Sequence, residues 1–142
     1  MNKLKIVLDT NILLVSISRK SEYHWIFDKF IKNEFYLCIS NDILSEYEEI
    51  MSLKLPSALK QYVLDIIAVS ESVLFTNNFY KWKFITSDPD DNKFVDCAIT
   101  SNADYLVTND SDFKIIKKID FPKVHILNYK EFKELMVDVN KK

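Results

Sequence analysis

None of the 142 residues is glycine. A backbone that must turn at positive φ, or close a helix with a left-handed residue, then falls to asparagine as its next-best choice. Asn33, Asn77, Asn78, Asn102 and Asn128 stand at candidate turn points of this kind. The same absence excludes the Walker loop and the dinucleotide fingerprint, whose backbones approach phosphate where no Cβ fits. What remains is a chain to be read through its hydrophobic periodicity. Its length fits one domain spanning residues 1–142. With 48% apolar and 28% charged residues it is too apolar to be disordered. A net charge of −2 excludes a grip on nucleic acid by bulk positive charge, but not by a local basic strip. No apolar run approaches the ~20 residues that span a bilayer. The run after Met1-Asn2-Lys3 stops at Asp9, too early for a secretory signal. Cys38 and Cys97 lie inside apolar segments and read as reduced, buried thiols of a cytoplasmic protein.

The periodicity alternates between strand and helix. Residues 4–8 are a short apolar run, as a buried parallel strand would be. Helical spacing follows at Trp25, Phe27, Phe30 and Ile31, with Asn33 as C-cap. Residues 35–39 read as a strand, and Ser40 or Asn41 caps a helix carrying Ile43, Leu44, Tyr47 and Ile50. Pro56 opens the next helix. Strands are expected at 72–76, 105–108 and 124–127, and helices from about 91 to 101, around 112–118 and from 129 to 137. Residues 77–87 fit neither period. Such alternation predicts an α/β fold, a three-layer α/β/α sandwich around a mostly parallel sheet.

In open α/β sheets ligands bind beyond the carboxyl ends of the strands, and acids collect there. Asp9 closes the first strand, Asp110 and Asp112 follow the strand at 105–108, Asp91 opens a neighbouring helix, and Glu46 lies on the helix after the second strand. Carboxylates converging from separate elements repel one another unless a cation sits among them, and hard oxygen ligands select Mg²⁺ or Mn²⁺. Asp88, Asp90 and Asp112 taken alone also read as caps at helix starts. Asp9, directly after a buried strand, needs a partner.

Four stretches carry a resemblance: the apolar opening strand with Asp9-Thr10-Asn11, the segment Ser40-Asn41-Asp42-Ile43-Leu44-Ser45-Glu46-Tyr47, Asp88-Pro89-Asp90-Asp91-Asn92-Lys93-Phe94-Val95-Asp96-Cys97-Ala98, and residues 103–113. Together they resemble the PIN-domain family over nearly the whole chain, in the VapC-like branch of toxin components of toxin–antitoxin pairs. The resemblance implies a metal-dependent nuclease acting on RNA, a partner antitoxin, and in many relatives a homodimer. Position by position, Asp9, Glu46, Asp91 and Asp110 match the family's acidic quartet. Asp9, Asp91 and Asp110 would hold a first metal, and a second would bridge toward Glu46. Asn11, Thr108 and Asp112 match supporting polar positions. Asp96 is an extra acid one and a half turns beyond Asp91, so the third ligand is Asp91 or Asp96; Asp91, at the helix mouth, is preferred. Asn102 and Asn109 stand where relatives often carry glycine.

Lys81, Trp82 and Lys83, within Phe79–Phe84, interleave aromatics with lysines as single-strand binders do. An amphipathic edge strand or a dimer contact explains the same pattern. Lys114, Lys117, Lys118 and Lys123 either steer a phosphate backbone or form a solvated face. His24 and His125 read as structural. A non-catalytic RNA- or protein-binding module on the same fold is the competing reading. A haloacid-dehalogenase-type phosphotransferase needs an acid where Asn11 stands, and a receiver domain needs a mid-chain acceptor Asp with a late Lys that is not evident.

Overall fold

Five short apolar runs form five strands, and every pairing between them is parallel. They are β1 (Lys5–Leu8), β2 (Tyr36–Ser40), β3 (Val73–Thr76), β4 (Tyr105–Val107) and β5 (Ile126–Leu127), in the order β3-β2-β1-β4-β5. This computed structural model describes residues 3–77 and 80–140. Met1, Asn2, the proposed turn residue Asn78 and the aromatic Phe79 lie outside the described residues. Parallel neighbours need a crossover between them. These are α1 (Thr10–Ile17) and α2 (His24–Ile31), then α3 (Asn41–Lys54) and α4 (Ser57–Val69), then α5 (Asn92–Ser101). A 3₁₀ helix, Ser111–Lys118, links β4 to β5, and α6 (Tyr129–Asn140) follows. Right-handed crossovers place α1–α4 on one face of the sheet and α5 on the other, which makes the expected three layers.

One helix was not expected, and two elements depart from their expected form. Helix α1 carries no amphipathic stripe, because Thr10, Ile12, Leu13, Ser16 and Ile17 are all buried and Leu14 packs on the core as well. Segment 112–118 winds as 3₁₀, with Phe113 and Ile116 as its buried residues. The last strand is shorter than its apolar run, although the His125 carbonyl still accepts from the Leu106 N–H at 2.9 Å. No helix among the described residues is long and apolar enough to cross a membrane.

The missing glycines are replaced in part as composition suggests. Asn33 (φ 60°) and Asn102 (φ 53°) adopt the left-handed conformation behind α2 and α5, and the Asn102 N–H bonds the carbonyls of Ala98 and Ile99. Lys83 (φ 58°) is the third such residue. Asn77, Asn109 and Asn128 are not at positive φ. Asn128 instead forms a reciprocal cap for α6: its Oδ1 accepts from the Glu131 N–H at 2.8 Å, and Glu131 Oε1 accepts from the Asn128 N–H at 2.9 Å. Asn109 uses its amide, donating to the Tyr23 hydroxyl and accepting from the Tyr129 N–H. No glycine was needed there.

Cys38 and Cys97 are buried and unbridged. Burial pushes the Cys97 thiol up to about 12, so it packs as an apolar group. Tyr47 of α3 is fully buried and donates to the Leu8 carbonyl at 2.6 Å, tying α3 to the last residue of β1. The strand order reverses direction between β1 and β4. A crevice opens beyond the carboxyl ends of strands at such a point.

Candidate metal centre

Asp9 sits in that crevice because the three residues before it, Ile6, Val7 and Leu8, are buried strand. Its own N–H continues the β1–β4 ladder to the Val107 carbonyl at 3.0 Å. Only 7% of the residue is exposed. Thr108, just past β4, donates to Asp9 Oδ2 at 2.6 Å, and the same hydroxyl oxygen accepts from the Asp110 N–H at 3.0 Å. One threonine therefore ties the Asp9 carboxylate to the Asp110 backbone. Burial raises the Asp9 pKa; the Thr108 hydrogen bond opposes this, and the fields of Asp110 and Glu46 add to it.

Asp91 ends the 3₁₀ turn Pro89–Asp91 at the mouth of α5, where an acid would ordinarily cap the helix. Its side chain makes no cap bond, and its Oδ2 is buried with no hydrogen-bond partner. Burial and then the negative fields of Asp88, Asp110, Asp9 and Asp112 raise its pKa to about 7. An acceptor buried without a donor costs about 1–3 kcal/mol. A divalent cation satisfies both the orphaned oxygen and the surrounding charge, so the residues present fit one.

Among the described residues one group of three acids is close enough to hold an ion. One oxygen from each of Asp88, Asp91 and Asp112 lies within 4.8 Å of the others, whereas the expected trio was Asp9, Asp91 and Asp110. Asp91 is common to both sets. Asp110 is exposed, and its Oδ1 caps the 3₁₀ helix by accepting from the Asp112 N–H at 2.9 Å. Asp112 in turn accepts from the Ser87 hydroxyl at 3.1 Å. Asp88 accepts from the Asp90 N–H at 3.3 Å, so it caps its turn as read, yet also faces Asp91.

Glu46 follows from the cap at Ser40, whose hydroxyl oxygen accepts from the Ile43 N–H at 3.3 Å and starts α3. Both Glu46 oxygens are occupied: Oε2 accepts from the Thr10 hydroxyl, and Oε1 from Lys93 Nζ at 2.8 Å. Sequence reasoning passed over Thr10 and Lys93. The available signal was a lysine in the first turn of α5, where the helix dipole disfavours a cation.

Asp96 lies apart from these acids. Five residues at ~100° each turn it well away from Asp91. It is buried and accepts from the Trp82 N–H at 3.2 Å, beside a cleft of about 510 Å³ lined also by Asp42, Lys81, Lys83 and Lys93. Burial raises its pKa, and the Trp82 N–H opposes this. A second cleft, of about 490 Å³, holds Asp9, Asn11, Tyr23, Asn109 and Asp110. Asn11 is exposed at its rim. Lys114 and Lys117 line a third hollow beside Asp110. The segment with Lys81, Trp82 and Lys83 is irregular rather than an edge strand, and the half-buried Trp82 ring lies between Tyr80 (4.7 Å) and Phe84 (5.8 Å). His24 Nδ1 bonds the Ser16 carbonyl at 2.9 Å, and His125 lies against Tyr105.

Residues 5–112 match the family model described as "PIN domain", a span that includes all four quartet positions. Among solved structures, the chain is similar to VapBC2 from Rickettsia felis bound to a promoter DNA fragment (24% identity, TM-score 0.60, 89% of this chain and 99% of that one). It is also similar to FitAcB from Neisseria gonorrhoeae (15% identity, TM-score 0.55, 87% and 96%). A third likeness is to the PIN domain endonuclease Utp24 (20% identity, TM-score 0.52, 87% and 84%). No curated protein matches the sequence.

Proposed function

This chain belongs to the PIN domain family, and on that premise we propose that it is a divalent-metal-dependent endoribonuclease, the toxin of a toxin–antitoxin pair. The observation that carries the proposal is the orphaned Asp91 Oδ2, buried in the combined field of Asp9, Asp88, Asp110 and Asp112 at the switch point of the sheet. Asp9, Asp91 and Asp110 would hold Mg²⁺ or Mn²⁺, with Asp88 and Asp112 close enough to join or orient the set. Bound there, such an ion supplies Lewis acidity for phosphodiester hydrolysis.

The chain's own residues do the rest. Thr108 holds Asp9 in one rotamer, and Thr10 does the same for Glu46. Asn11 stands at the rim as a donor for a phosphate oxygen or a carboxylate. Lys114 and Lys117 on one side, and Lys81, Lys83 and the Trp82 ring on the other, offer phosphate contacts and a stacking surface to single-stranded RNA. Asp96 serves this reading by fixing the Trp82 backbone, not as a ligand. The complexes formed by VapBC2 and FitAcB support a partner antitoxin. The apolar groove of about 640 Å³ bordered by Leu14, Ile17, Leu55, Leu59 and the exposed Tyr62 offers such a partner a seat. The buried, unbridged thiols suit a cytoplasmic setting.

The test is cleavage of single-stranded RNA by the purified chain with Mn²⁺ or Mg²⁺, and with EDTA. Cleavage that EDTA stops, and that Asp9→Asn and Asp110→Asn abolish without altering the circular dichroism spectrum, is the expected result. Full activity in folded Asp9→Asn, or in EDTA, overturns the assignment. Metal uptake and RNA binding without cleavage would leave the non-catalytic module in its place.

A further inference from the structure

We propose, resting on the nuclease reading above, that Lys93 is the resident cation of the Glu46 end of the cleft, so that the site takes up one divalent ion and not two. Both oxygens of Glu46 already have donors, the Thr10 hydroxyl on one and the Lys93 ammonium, at 2.8 Å, on the other. The pair is largely shielded, with side-chain exposures of 17% for Lys93 and 20% for Glu46. A charge-assisted hydrogen bond in such surroundings is much stronger than a surface ion pair.

The acids offset an otherwise unfavourable position for Lys93. It occupies the first turn of α5, where the unpaired N–H groups repel a cation. It reaches Glu46 across from a different element, and Asp90 lies 3.9 Å from the same Nζ. In a two-metal site the ions stand ~3.5–4 Å apart and share the flanking carboxylates. An ion seated on Glu46 would compete with the ammonium and the Thr10 hydroxyl for the carboxylate's lone pairs, and would bring two further positive charges against the charge of Lys93. Asp91 presents the opposite case, an oxygen with no donor at all. One end of the cleft therefore carries a fixed, non-exchangeable charge, and the other is open to a metal. Lys93 acts as a positioning residue through Glu46, and supplies one positive charge where a second ion would supply two.

The experiment is a Mn²⁺ titration of the full chain, read by calorimetry for stoichiometry and by electron paramagnetic resonance for coupling between ions. The native protein is expected to bind one Mn²⁺ per chain and to show an uncoupled spectrum at saturation. Lys93→Met, which keeps the length of the side chain and removes its charge, is expected to admit a second Mn²⁺ and to show the broadened spectrum of a coupled pair. Lys93→Arg keeps the charge and is expected to stay at one. Two coupled ions in the native protein overturn the proposal, as does a folded Lys93→Met variant that still binds only one. Should Lys93→Met not fold, the native stoichiometry and Lys93→Arg decide alone. A native protein that binds no Mn²⁺ sinks the nuclease reading itself, a different outcome from binding two.

Discussion

At the Glu46 end of the acidic cleft a lysine and a threonine satisfy both carboxylate oxygens, whereas at the Asp91 end four other acids surround an oxygen that has no donor. Both ends are built from carboxylates, yet at one they are paired with donors and at the other they crowd an oxygen that has none. Closed pairs hold structure together. A cluster of unneutralised acids destabilises the metal-free fold and persists where a ligand relieves it. On the proposed reading, one end would serve stability and the other ion binding.

The largest expected effect separates the ends by chemistry. Asp91→Asn should lower metal-dependent cleavage by about 10²–10³-fold, the scale of losing a directly acting electrostatic group, while Asp96→Asn, on the other side of α5, should leave metal affinity unchanged. Equal losses in both variants, measured by initial rates and Mn²⁺ calorimetry, would erase the distinction. Next in size is Thr108→Val, which frees Asp9 Oδ2 from its donor and should weaken Mn²⁺ binding by about 10–100-fold, as loss of a ligand's supporting hydrogen bond does.

On stability the two ends should move in opposite directions. Glu46→Gln leaves Lys93 shielded with only the more distant, exposed Asp90 as counter-ion, and should cost about 1–2 kcal/mol in urea unfolding without metal. Asp91→Asn removes a repelled carboxylate and should raise stability by about 1 kcal/mol under the same conditions. A stabilised Glu46→Gln would show that the Lys93 pair contributes nothing.

The smallest effect is a pH slope. Folded, Asp91 keeps its proton up to about pH 7, while the unfolded chain releases it near the ordinary value of 3.8. Between those values the folded state binds the extra proton, so metal-free stability should fall as pH rises and level off above about 7. Asp9 and Asp96, also raised, add to the slope in the same sense. With solvent screening at this half-buried site, Asp91 should account for about 1 kcal/mol of the change. Unfolding at pH 5 and pH 8 with and without Asp91→Asn measures that share; an unchanged slope in the variant would contradict it.

The strand–helix alternation and the acids at strand ends could be read along the chain, because burial against a sheet imposes period 2 or a short apolar run, and period 3.6 on the helices that cover it. Helix α1 could not, since a helix buried on several sides has no stripe. Asn33 and Asn102 took the left-handed positions that a glycine-free chain must fill, but Asn109 and Asn128 used their amides as donors and acceptors instead. Residue type named the candidates, and local hydrogen bonding decided their use.

Asp9, Asp91 and Asp110 were legible as candidates because each sits at an element boundary that the pattern marks, and Glu46 because it lies on the helix that follows the second strand. That Asp96 turns to Trp82, that Asp88 and Asp112 gather within 4.8 Å of Asp91, and that Lys93 closes on Glu46 were settled only by the packing of α3, α5 and the β1–β4 border. The physical reason is range. Periodicity and capping act between residues a few positions apart, whereas the charge felt by a carboxylate is set by neighbours 36 to 99 positions away, as in the Thr10–Glu46 and Asp9–Thr108 hydrogen bonds.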